Sequence, residues 1–156
     1  MRLRIVAGGQ TGVDRAALDV ALARGLECGG WCPAGRRAED GPVPAHYPLT
    51  ETPEADYRFR TARNVADSDA TLILTAARLA GGTLYTVEEA LRAGRPCRVV
   101  DLREAPDAQE VRDWLALNAV HTLNVAGPRE SSQPGVYARA RAWLEALLAA
   151  PDEPAG

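Results

Sequence analysis

The chain has 156 residues and a formal net charge of −3, with 25% charged residues. That length supports one domain with a substantial core, and the acidic balance argues against nucleic acid or a membrane surface as partner. All 18 basic residues are arginine. Lysine-dependent phosphate loops, Schiff bases and general bases are thereby excluded, and anion recognition by side chains falls to guanidinium forks. No apolar run approaches a bilayer span, and Gly8-Gly9 interrupts the first apolar run too early for a signal peptide. Cys28, Cys32 and Cys97 are odd in number and lack Cys-x-x-Cys spacing, which reads as reduced thiols in a cytoplasmic protein. A metal site built from Cys28, Cys32 and His46 is the alternative use.

Short apolar, partly β-branched runs predict strands at 3–7, 27–32, 70–75, 97–101 and 121–126. Helical patterns fall at 12–24, 54–67, 84–93, 107–118 and 135–149. The alternation predicts an α/β fold: a three-layer, Rossmann-like open parallel sheet of about five strands with helices on both faces. Gly25 and Gly94 read as helix C-terminal caps, and Pro96 stops the chain before the fourth strand. Ala140, Trp143, Leu144, Leu147 and Leu148 mark the buried face of the last helix. Residues 1–149 read as a single ligand-binding domain and 150–156 as a disordered tail. Residues 33–53 form a long, proline-rich loop, expected to be ordered and functional.

Two glycine turns each link a strand to a helix. The first is Gly8-Gly9-Gln10-Thr11-Gly12-Val13 and the second is Gly81-Gly82-Thr83. Backbone N–H groups and the positive end of a helix dipole meet at such a tip, which favours phosphate. The strand order 2-1-3-4-5 would bring both tips to the point where the order reverses, and 3-2-1-4-5 is the alternative. The first turn lacks Gly-x-Gly-x-x-Gly, and no acid follows strand two, so a nicotinamide dinucleotide is disfavoured. Thr11-x-x-Asp14 and Thr86-x-x-Glu89 fit capping boxes. Asp67-Ser68-Asp69 reads as a turn at the far edge of the sheet. Arg36, Arg37, Arg60, Arg63 and Arg129 are candidate anion clamps, the last within Gly127-Pro128-Arg129-Glu130-Ser131-Ser132, and Trp31 or Tyr47 could stack on a ring.

Gly8-Gly9-Gln10-Thr11-Gly12-Val13-Asp14-Arg15, the run from Gly30-Trp31-Cys32-Pro33 to Gly41, Tyr47-Pro48-Leu49-x-Glu51-Thr52, and Asn124-Val125-Ala126-Gly127-Pro128-Arg129-Glu130-Ser131 resemble the molybdenum carrier family. These motifs span nearly the whole chain. The resemblance implies a Rossmann-like fold of the lysine-decarboxylase-like group, a homo-oligomer (dimer or tetramer), and binding of the molybdenum cofactor, a pterin bearing a phosphate. Gly8, Gly9, Gln10, Thr11, Gly12, Val13, Arg36, Arg37, Gly81, Gly82, Thr83, Arg129, Glu130 and Ser131 are then the expected ligand contacts.

A more distant resemblance is to the nucleoside-monophosphate phosphoribohydrolases of the same superfamily. Arg60-Thr61 stands in their Arg-Lys place, Ser68-Asp69 follows, and the segment from Ala80 to Glu89 replaces Pro-Gly-Gly-x-Gly-Thr-x-x-Glu, lacking its Pro and third Gly. It implies Arg60 and Glu89 as the pair for N-glycoside cleavage, should the chain be an enzyme. A nucleotide-sensing module is the third reading open to the chain. No Ser-His or Cys-His motif stands out, which favours binding over catalysis.

Overall fold

The computed structural model describes residues 2–149; the expected tail at 150–156 lies outside them. Nine strands and five α-helices follow in chain order: β1 Arg4–Val6, α1 Val13–Ala23, β2 Cys28–Gly29, β3 Trp31–Cys32, β4 Arg37–Ala38, β5 Gly41–Pro42, β6 Thr50–Glu51, α2 Tyr57–Ala66, β7 Ala70–Thr75, α3 Gly81–Arg92, β8 Cys97–Asp101, α4 Ala108–Leu117, β9 Thr122–Ala126 and α5 Val136–Leu148. Five of the strands form one sheet, ordered β2-β1-β9-β7-β8, with all neighbours parallel. Helices α1, α4 and α5 pack together on one face, and α2 packs on α3 across the other. The three-layer Rossmann-like α/β architecture is therefore present.

The strand order differs from the expected 2-1-3-4-5. The last strand, β9, inserts between β1 and β7 and hydrogen-bonds to both. Counted from β9 instead of β1, the order becomes 3-2-1-4-5. Local patterning could not show this, because each strand's apolar run is compatible with any neighbour. The reversal point lies between β9 and β7.

The predicted strand at 27–32 is two short strands broken at Gly30, where φ is +129 and a Cβ would strike the Ala7 carbonyl oxygen. Beyond the break, β3 leaves the main sheet and pairs with β6. Helix α3 starts at Gly81, three residues before its predicted start. Gly25 and Gly94, both at φ +67, end α1 and α3 as expected.

Every residue of β7 is buried. One sheet face is apolar: Ile5, Leu72, Leu74, Leu123 and Val125 pack against Val13, Leu18, Val111, Ala140 and Leu144. The opposite face carries buried polar side chains, with Asn124 Nδ2 donating to Thr71 Oγ1 at 3.2 Å. Both Thr61 and Asn64 of α2 and Thr83 and Thr86 of α3 are buried there as well. No helix among the described residues is long and apolar enough to cross a membrane.

Candidate ligand-binding cleft

The polar face opens into a cleft of about 530 Å³ beyond the carboxyl ends of β7 and β9. Its wall includes Gly8, Gln10 and Asp14 from the first glycine turn, Arg78 to Thr83 from the second, and Gly127, Pro128 and Arg129 from the turn after β9. Both predicted tips therefore border one cavity, although β9 separates their strands. A second, outer groove of about 570 Å³ shares Gln10, Tyr57, Arg60 and Arg129 with the cleft and adds Arg37, Ala38 and Glu39.

The first glycine turn faces mostly protein. A Cβ on Gly9 (φ +87) would strike Leu49, and one on Gly12 (φ +80) would strike the Pro128 carbonyl oxygen. Three of the turn's amides donate internally: Gln10 N to Asp14 Oδ2 (3.2 Å), Thr11 N to Gln10 Oε1 (3.0 Å) and Val13 N to the Pro128 carbonyl (3.3 Å). Gly9, Thr11, Gly12 and Val13 do not line the cleft. Their expected role as an amide cradle gives way to close packing of the loop at 33–53 and the β9–α5 turn. The capping boxes also fail. Gly12 and Ala80 are the N-caps of α1 and α3, without side-chain capping, and Thr86 Oγ1 donates within the helix to the Gly82 carbonyl.

The second turn is open. The first i→i−4 bond of α3 runs from Leu84 N to the Ala80 carbonyl (3.3 Å), so the amides of Gly81, Gly82 and Thr83 have no acceptor within the helix. Gly81 adopts φ +53, a conformation glycine reaches without steric cost. Thr75 and Gln133 brace the cleft between β7 and α5: Gln133 Nε2 donates to Thr75 Oγ1 (3.0 Å), and Ala76 N donates to Gln133 Oε1 (2.8 Å).

Asp14 is a buried carboxyl in this wall, 5% exposed. Burial pushes its pKa up to about 6, against the pull of Arg60, the Gln10 amide and Arg15. Arg60 lies half-buried over Gly8 and donates to its carbonyl at 2.6 Å. Glu89, its expected partner, does not line the cleft and pairs with Arg92 on the same helix. The pair for glycoside cleavage is thus not brought together on the cleft wall.

Arg36, expected as an anion clamp, is engaged by its own loop and lines neither cavity. At φ +55, its guanidinium donates to the carbonyls of Val43 (2.9 Å), Pro44 (2.8 Å), Tyr47 (2.9 Å) and Leu49 (3.3 Å), folding the loop around itself. Arg63 lies over Trp31, whose ring nitrogen donates to Asp67 (2.8 Å), so neither is presented to the cleft. Tyr47 is buried with its hydroxyl on Asp19 (2.6 Å). Arg37 is exposed in the outer groove, and Arg129 borders both cavities. Glu130 caps the start of α5, accepting from Gly135 N (2.6 Å) and Tyr137 N (2.9 Å). Ser131 contacts Glu39 through its amide (3.2 Å) and hydroxyl.

A family profile, the circularly permuted YpsA SLOG family, matches residues 5–148. The chain belongs to that family. The sheet agrees with that description: counted from β9, its order is 3-2-1-4-5. A solved structure from Syntrophus aciditrophicus, described as a "putative molybdenum carrier protein", is 41% identical, with a TM-score of 0.90 over 95% of this chain and 96% of that one. No curated protein matches.

Tyr57, Arg78, Thr75, Asn124 and Gln133 line the cleft, although none was among the expected ligand contacts. Thr75 and Asn124 carry a usable signal: polar residues inside strands otherwise apolar on both faces. Gln133 and Tyr57 carry none, because only the strand order brings the starts of α5 and α2 to the same opening.

Proposed function

We propose that the cleft binds a phosphate-bearing heterocycle, with the molybdenum cofactor as the ligand to test first. One observation carries this reading: Gly81–Thr83, whose amides have no acceptor within their helix, and Arg60 line the same cleft, which is of a size for such a molecule. The phosphate would sit on the α3 turn. Arg78 and Arg129 would add charge, and Tyr57, at the shared rim, would stack on the ring. The name of the Syntrophus protein supports the same ligand class. Cys28, Cys32 and Cys97 lie off the cleft, and no group of three or more metal-ligating side chains among the described residues could hold a metal ion. Such a cargo would have to bring its own metal ligands.

Native mass spectrometry of freshly purified protein should show a small-molecule adduct that releases a fluorescent pterin on denaturation, and Arg60→Ala should lose it. Protein that carries no adduct and binds neither AMP nor inorganic phosphate in calorimetry would refute the reading. Adenine release from AMP would replace it with glycoside hydrolysis. Phe59, Leu84 and Leu91, exposed on α2 and α3, offer apolar surface for a homo-oligomer, which sedimentation would test. The three free thiols support a cytoplasmic setting.

A further inference from the structure

Glu39 and Asp40 form the two-residue tip of the β4–β5 hairpin, between the paired residues Ala38 and Gly41. Both carboxylates dock the tip onto the sheet end. Asp40 takes a bidentate pair from Arg15 (2.8 and 2.9 Å). Glu39 accepts from the Ser131 amide (3.2 Å), the Ser131 hydroxyl and the Thr11 hydroxyl, with Arg129 Nε 3.8 Å away. The Glu130 amide donates to Thr11 Oγ1 (3.1 Å), so a second backbone dipole is relayed into the same group. The Ser131 and Thr11 bonds hold the Glu39 carboxyl below the usual range, so it is ionised.

A backbone amide, two hydroxyls and a guanidinium around one pair of oxygens is a donor set suited to a phosphate. Glu39 lines the outer groove, and Arg129 borders both the groove and the cleft. We propose that the Ser131–Thr11–Arg129 nest is a second oxyanion subsite and that Glu39 is its built-in occupant, displaced by a pyrophosphate-type anion entering the outer groove. Displacement frees the hairpin tip on the Glu39 side while Arg15 still holds Asp40, so the hairpin acts as a latch on the groove.

Calorimetry on the full chain with inorganic pyrophosphate tests it. Glu39→Gln keeps an acceptor for Ser131 and Thr11 but removes the competing charge, and should bind at least ~10-fold more tightly than the wild type. Adding Ser131→Ala should erase that gain. Equal or weaker binding by Glu39→Gln, or a gain that survives Ser131→Ala, would overturn the proposal. In the wild type, saturating pyrophosphate should speed hydrogen exchange at the Glu39 amide, which donates to Gln10 Oε1 (2.9 Å) in the docked hairpin. Unchanged exchange would also overturn it. The cleft reading fails on a different titration, that of AMP against wild type and Arg60→Ala.

Discussion

Asp14→Asn should stabilise the protein at neutral pH, although Asp14 is buried and hydrogen-bonded. Its carboxyl is raised from 3.8 to about 6, chiefly by burial, and the charges of Arg60 and Arg15 recover only part of that loss. The displacement is worth about 3 kcal/mol. Between those two values the folded state holds a proton that the unfolded chain has released. Stability from this group is therefore fully present below pH 3.8, falls as pH rises towards 6, and stays lost above it. Asparagine keeps an acceptor for the Gln10 amide and has no charge to bury. The stability of Asp14→Asn relative to wild type should thus improve by about 3 kcal/mol between pH 3.5 and pH 8, as read from urea unfolding at each pH. In thermal melts the same difference amounts to roughly 6–12 °C for a chain of this size. A mutant-minus-wild-type difference that does not change with pH would refute the assignment of a desolvated, titrating carboxyl at this position.

Gly12→Ala should cost about 2 kcal/mol or more, because the new Cβ meets the Pro128 carbonyl oxygen and φ is +80; a wild-type urea midpoint would contradict that packing. Arg36→Ala should open the loop at 33–53 and cost about 2–3 kcal/mol by freeing the carbonyls of Val43, Pro44, Tyr47 and Leu49. Limited proteolysis should then cut within 43–49 at least several times faster than in wild type. Asp19→Asn should cost about 1–2 kcal/mol, since the hydroxyls of Tyr47 (2.6 Å) and Tyr137 (2.5 Å) both donate to its carboxylate; an unchanged melting temperature would remove Asp19 as the clip between the loop and α5.

The elements were legible because their signals are local. β7 and β8 fall on their predicted spans, and α1 and α5 lie within a residue of theirs at each end. Ala140, Leu144 and Leu147 are buried as their helical spacing requires. Strand order was not legible, since nothing within residues 121–126 tells β9 which strands it will separate. The site was half legible for the same reason. Gly81-Gly82-Thr83 keeps its amides open, whereas Gly8 to Gly12, equally glycine-rich, serves close approach of the chain to itself. A glycine turn announces that something comes near the backbone without saying whether it is a ligand or Leu49. Arg36 and Arg129 looked alike in sequence, and only the fold sends one into its own loop and the other to the cleft rim.

The position of β9 has a consequence for how the protein is made. The strand that joins β1 to β7 comes after both in the chain, so β1-α1-β2 and β7-α3-β8 are made first, each with an edge that only β9 satisfies. Neither can be bridged until residues 122–126 have left the exit tunnel. The keystone follows the strands it joins, so closing the sheet is a slow, long-range step that must compete with aggregation of the waiting edges.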